Sequence, residues 1–316
     1  MTHLAVSPLR PSRPSIADPI FRALCLFAAT LLLAALSGVV ISLAIGGWPA
    51  FHKFGLAFFT NTTWNPVTEV YGAAGPVVGT LVTSLLALMF SLPIAVGVAV
   101  FLSEFCPPLL ARPLALAVEL LAGIPSIVYG MWGLFVFAPF FAMHVQLPLM
   151  MAAPPGSIWE TLFAGVPNGA NMLSASIILA IMILPYMAAV FRELLRTVPP
   201  QLREAAYGLG CTPLETVQSV MLPYVRRGSV GVVMLGLGRA LGETMAVTFV
   251  IGNSHALPKS LFDSGSTIAS TIANEFTEAT GEMHTSALVA LGFVLFVITF
   301  AVLAAARLLL AGQRQV

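Results

Sequence analysis

Charge is what this 316-residue chain has least of. Lys, Arg, Asp and Glu together make up 9% of it, against about 25% in a soluble domain. With 58% hydrophobic residues and a mean hydropathy of +0.96, a solvated globular fold is excluded and an integral membrane protein is implied. A net charge of +1, with no basic run longer than Arg226-Arg227, excludes bulk attraction for nucleic acid. Cysteine is sparse: Cys25, Cys106 and Cys211 form no disulfide framework and read as structural or incidental small apolar residues. Histidine is scattered. His3, His52, His144, His255 and His284 lie in a tail and in connecting loops without ligand spacing or a paired nucleophile. That argues against a metal or catalytic site and leaves them as surface or interfacial groups. No Gly-Lys pair occurs anywhere, which excludes a P-loop and, with it, ATP hydrolysis by this chain.

Long apolar runs are what the chain does have. Six are long enough to cross about 30 Å of hydrocarbon: Ile20 to Ile45, Pro76 to Leu102, Leu114 to Phe137, Asn171 to Phe191, Gly228 to Ile251, and Ser286 to Leu310. Each is expected to be helical, because backbone groups in lipid must be satisfied within the segment and no barrel-like alternation is present. Asp18-Pro19 supplies a cap and a first-turn proline ahead of the first run, which at 26 residues is too long for a signal-peptide core. A single six-helix membrane domain over residues 20–310 is expected, between tails at 1–19 and 311–316.

Orientation follows from the basic residues, which favour the cytoplasmic side. Arg10, Arg13, Arg22, Arg112, Arg192, Arg196, Arg203, Arg226, Arg227, Arg307 and Arg314 fall on one side of a six-span path, and only Lys53 and Lys259 on the other. Both termini are therefore expected in the cytoplasm. Trp48, Trp64 and Trp159 fall in the outside loops, where they can anchor at the interface.

The fourteenth basic residue, Arg239, lies inside the fifth run with Glu243 four residues on. An arginine at the bilayer centre costs about 2.5 to 3.5 kcal/mol on insertion scales, so such residues face a bundle interior or a watery path. In a continuous helix this spacing places both on one face, where they can pair. The bland reading is an ion pair that fixes packing; the functional reading is a strip turned toward a translocation pathway, with Glu243 holding the guanidinium. Gly238 and Gly242 make a small-xxx-small ridge suited to close helix contact. The same glycines do not form a dinucleotide loop, because the third is one residue late and the context is a membrane span. Glu119, near the end of the third run, is a weaker pathway candidate that can instead face Arg112 or water.

Between the fourth and fifth runs, residues 197–223 read as helix, turn, helix. Pro200 opens a short helix, Gly208 and Gly210 permit a left-handed turn, and Thr212, Pro213 and Glu215 form a capping box with a first-turn proline. The second helix is expected to stop near Pro223. Any long loop can fold so. The residues are more specific: Glu204-Ala205-Ala206, Gly210 after three residues, then Val220 and Leu222-Pro223. This pattern resembles the EAA loop of ABC importer permeases, with Val220 where that family more often has Ile. Ala122 to Gly133 and Leu237 to Ala246 resemble the permease subunits of phosphate-specific ABC importers, and Trp64-Asn65-Pro66, Tyr71-Gly72 and Gly79-Thr80 resemble the first of their two paralogous permeases. The likeness covers most of residues 60–252.

That resemblance implies an all-α, six-helix, type I importer permease in the bacterial inner membrane. It implies a paralogous permease partner, two copies of a cytoplasmic ATPase that use ATP and Mg, and an extracytoplasmic phosphate-binding protein. This chain itself is then expected to bind no cofactor. Glu204, Ala205, Ala206 and Gly210 become ATPase-coupling residues, and Arg239 and Glu243 phosphate-pathway residues. A permease for sulfate or molybdate, or the partner permease, stays open beside it. An ion-coupled secondary transporter fits less well, since no repeated halves are visible.

Overall fold

The computed structural model describes residues 17–312. The expected tails fall largely outside them, and with them His3, Arg10, Arg13 and Arg314. Among the described residues, six helices have the length and apolarity to cross a membrane: α1 (Asp18–Phe54), α2 (Ala74–Phe105), α4 (Ser126–Ala152), α5 (Met172–Arg196), α7 (Pro213–Leu241) and α10 (Glu282–Leu308). Between them lie α3 (Pro108–Ala122), α6 (Pro200–Gly208), α8 (Met245–Val250) and α9 (Ile268–Glu275). A short antiparallel hairpin, β1 (Trp64–Asn65) and β2 (Val70–Tyr71), closes the end opposite the arginine-rich one.

Six spans are present, as the apolar runs imply, but two are displaced. The third does not run from Leu114 to Phe137. Gly123 caps α3, and Pro125 adopts an extended conformation (φ −57°, ψ 136°), so the chain turns and a new helix starts at Ser126. A residue before proline is driven from the helical region, which makes Ile124-Pro125 a break in spite of its apolar setting. The fifth begins earlier, at Pro213, and ends at Leu241.

Proline also marks the irregular turns. Four π-helical turns, Phe101–Phe105, Gly133–Phe137, Ala142–Gln146 and Val217–Met221, each end two residues before a proline: Pro107, Pro139, Pro148 and Pro223. A proline inside a helix lacks an N–H and presses on the carbonyl four residues back. At Pro139, Pro148 and Pro223, where the helix continues, the widened turn relieves that pressure, whereas ahead of Pro107 the helix ends at an extended Cys106. The relief explains why the helix expected to stop near Pro223 runs on through it.

The main core lies between α2, α5, α7 and α8. Ala87, Ala95 and Ala99 of α2 face Ala175, Leu179 and Met187 of α5, all of them buried. Small residues let the helices approach closely where lipid offers no hydrophobic drive. Hydroxyls are spent locally: Thr83 and Ser84 donate to Gly79 and Thr80 carbonyls. Thr80 also accepts from the Ile268 N–H at 2.9 Å, tying the start of α9 to α2.

At the opposite end α1 and α10 pack around Phe58, Tyr71, Leu288 and Leu291. His52 and His144 are exposed, as expected, but His255 and His284 are not surface groups. His284 is buried, and Glu275 accepts from both His284 Nε2 at 3.0 Å and His255 Nε2 at 3.1 Å. Trp64 stacks on His255 and Tyr71 on His284. Burial, then the Glu69 and Glu275 carboxylates, hold the Tyr71 phenol above its ordinary value.

Candidate functional site

Arg239 and Glu243 are not an i,i+4 pair, because the helix that should carry both is broken between them. Helix α7 ends at Leu241, Gly242 caps it, and α8 starts at Met245. Among the described residues no ion pair joins the two side chains. Each charge instead complements a helix end. Arg239 sits in the last turn of α7, where the dipole is negative, and Glu243 Oε1 accepts from the Ala246 N–H at 3.2 Å in the first turn of α8, where it is positive. Backbone freed at membrane depth is tolerated only where protein buries it or a cavity receives it.

A cavity is present. About 860 Å³ opens between α5, α7 and α10, walled from Thr197 at the end of α5 to Arg239, with Glu193 and Arg307 as its other charged residues. The Arg239 guanidinium lies 5.6 Å from the centroid of the Tyr186 ring, and its Nε is buried without a hydrogen-bond partner. A cation held by one aromatic face and lacking a carboxylate has donors left for an anion. The sequence signal for the break was present in Gly242 and Thr244, but the uninterrupted apolar run concealed it.

The glycine ridge is also placed differently. A Cβ on Gly238 would meet nothing nearer than Leu303 at 3.9 Å, and one on Gly242 only the Gly238 carbonyl at 3.7 Å. Gly238 lines the cavity rather than a helix contact. Close approach is made by Gly236 and Gly228, whose added Cβ atoms would lie 2.6 Å from Met187 Sδ and 2.5 Å from Leu194 Cδ1 of α5. Gly130 of α4 also packs against backbone: a Cβ added there would lie 3.0 Å from Ala246 Cα and 3.1 Å from the Met245 carbonyl oxygen, so its lack of a side chain lets α4 seat α8. Gly130→Val is expected to destabilise the protein by about 1 to 3 kcal/mol through overpacking, read as a lowered melting temperature of the purified chain.

Glu119 lies on α3, not in a membrane span, and its partner is Arg192 at 3.5 Å rather than Arg112. The 197–223 segment forms α6, with Glu204 and Ala205 exposed and Ala206 buried, and then the left-handed Gly210 at φ +86°. The capping box is present as read: Thr212 Oγ1 accepts from the Glu215 N–H, and Glu215 Oε2 accepts from the Thr212 N–H at 2.7 Å. Around it Leu209, Leu214, Tyr207 and Leu202 stand exposed, an apolar tip on an otherwise polar loop.

Sequence reading missed Glu104. Its side chain is 2% exposed and pairs with Arg203 of α6 at 2.6 Å, with a second contact of 2.7 Å from Nη2 to Oε2. The pair fastens α6, beside Glu204, to the end of α2. A lone carboxylate closing an apolar run was the available signal.

Residues 91–315 match the family described as binding-protein-dependent transport system inner membrane component. The chain is 54% identical to the phosphate transport system permease protein PstC of Mesorhizobium japonicum, over 94% of this chain and 91% of that one. It is 50% identical to PstC of Pasteurella multocida, over 93% and 92%, and 40% identical to PstC 1 of Mycobacterium tuberculosis, over 82% of each. Its fold is similar to a chain of the MetNI methionine ABC transporter in inward-facing conformations, with a TM-score of 0.57 and 16% identity over 79% of this chain and 99% of that chain.

Proposed function

This chain belongs to the family of binding-protein-dependent transport system inner membrane components, and from that premise we propose that it is the phosphate-translocating permease subunit of an ATP-driven importer. It is a multi-pass protein of a bacterial inner membrane. The observation that carries the reading is Arg239: an intramembrane guanidinium without a carboxylate, at a helix break, on the wall of a large cavity. A guanidinium presents parallel donors that match a phosphate oxyanion in a bidentate fashion. The Tyr186 ring attracts the cation without neutralising it, so a passing anion meets it charged.

In this reading the arginine-rich end faces the cytoplasm, and the chain pairs with a paralogous permease to complete the pathway. Two copies of an ATPase, which bind the ATP and Mg, dock on the two permeases, and an extracytoplasmic binding protein delivers phosphate. The chain supplies no ATPase site of its own. The apolar tip at Leu209, Tyr207 and Leu202, presented by α6 and the Gly210 turn, suits insertion into a cleft of the ATPase. Glu104 and Arg203 then carry displacement of α6 to α2. ATP shifts the inward and outward populations by binding one of them better.

The test is uptake of labelled phosphate in cells lacking this subunit, with and without the chain restored. Restored uptake resisting an excess of sulfate and molybdate is expected. Restored uptake of either of those anions in place of phosphate contradicts the substrate.

A further inference from the structure

A second, separate cavity lies at the arginine-rich end, between the end of α2, the start of α3, the end of α5 and α6. Its volume is about 320 Å³, and Arg112, Arg192, Arg196 and Arg203 all line it, together with Ser103 and Cys106. Three carboxylates offset these four cations. Glu104, also on the cavity wall, takes Arg203, and Glu193 holds Arg196 at 2.8 Å. Arg192 is left with poor partners: Glu119 at 3.5 Å and Glu193 at 3.7 Å, although its side chain is only 8% exposed. Arg112 joins no ion pair among the described residues. Ser103 Oγ is buried and has no hydrogen-bond partner. The 15-residue α3 also begins on this wall, at Pro108, with the positive end of its dipole.

From this arrangement we infer a phosphate-group binding site, distinct from the Arg239 cavity and formed by Arg112, Arg192 and Ser103, with Arg196 at its edge. A buried guanidinium with unspent donors requires an acceptor, and the volume holds a tetrahedral oxyanion with several waters of about 30 Å³ each. Guanidinium forks, a free hydroxyl and a helix N-terminus all favour the same chemistry. The group comes either from inorganic phosphate in solution or from the headgroup of an anionic lipid, since basic pockets between membrane helices accept such headgroups. Because Arg203 closes the cavity wall beside Glu204, an occupant braces α6 against α2 and α5.

Cys106, on the cavity wall, is a built-in reporter. The test uses the purified complex in lipid discs, where both faces are open, so its outcome does not depend on orientation or on transport. Mixed-disulfide formation at Cys106, with release of methanesulfinate, is followed by mass spectrometry with a sulfonate-bearing and a trimethylammonium-bearing methanethiosulfonate, at fixed ionic strength. With each rate scaled to that of the same reagent with free cysteine, the anionic reagent is expected to be favoured about tenfold over the cationic one in phosphatidylcholine discs; equal scaled rates overturn the site. Slowing by inorganic phosphate, but not by chloride, assigns the free ion. Slowing only in phosphatidylglycerol discs assigns the headgroup, and no slowing under either condition overturns the proposal. Arg112→Gln with Arg196→Gln, both at exposed positions, is expected to abolish the reagent preference and the slowing; retention of both contradicts the assigned residues.

Discussion

Arg239→Gln is expected to lower phosphate uptake about a hundredfold while the subunits still assemble. Two charge-assisted hydrogen bonds to a passing anion are together worth about 3 kcal/mol, and each 1.4 kcal/mol is a factor of ten. Gln keeps a donor but is shorter and loses the charge and the fork. Glu243→Gln should be milder, because a Gln oxygen still accepts from the Ala246 N–H and only the charge at the α8 N-terminus is lost. That loss is about 1 kcal/mol, or roughly fivefold in uptake. The two residues therefore separate in effect. If they worked as one ion pair, the two substitutions would be equally damaging. Uptake of labelled phosphate, with co-purification of the partner subunits as the assembly control, decides between these outcomes.

The second large effect concerns Glu104 and Arg203, and it is asymmetric. Arg203→Met leaves the Glu104 carboxylate almost wholly buried without its cation. An uncompensated buried charge costs about 3 to 5 kcal/mol, enough to unseat α6. Glu104→Met leaves Arg203 instead, and its side chain, a third exposed, can turn to water. The expected loss there is about 1 kcal/mol. The melting temperature of the purified complex measures the difference, and ATP hydrolysis uncoupled from uptake is the expected companion of Arg203→Met. Equal losses from both substitutions would show that the pair does not hold α6.

The membrane-crossing count and the turn around Gly210 were legible in the sequence because each rests on local chemistry. Twenty apolar residues must be helical in lipid, and Thr212 with Glu215 caps whatever follows them. What escaped was punctuation inside apolar runs. Gly123 with Pro125, and Gly242 with Thr244, are read by hydropathy as continuing a span, whereas the backbone reads them as ends. That error moved the third span by about a dozen residues and turned two helix-end charges into an imagined pair. The prolines carried the opposite message at Pro223, where a π turn lets the helix continue.

Side-chain convergence was the other hidden layer. Glu104 and Arg203 are 99 positions apart, and His255 and His284 meet through Glu275 and the Trp64 ring. No spacing rule on a single chain links such residues. Glycine behaved similarly: Gly238 and Gly242 had the motif, but Gly228 and Gly236 had the neighbours. Arg239 was found because a charge in hydrocarbon stands out, whatever its partner.

The most direct measurement is made in proteoliposomes containing this chain, its permease partner and the ATPase, with ATP supplied on the side of the 197–223 loop and the phosphate-binding protein on the other. Labelled phosphate is expected to accumulate on the ATP side only when ATP and the binding protein are both present, and not with Arg239→Gln. Accumulation driven by an imposed ion gradient without ATP, or undiminished transport by Arg239→Gln, would contradict the account.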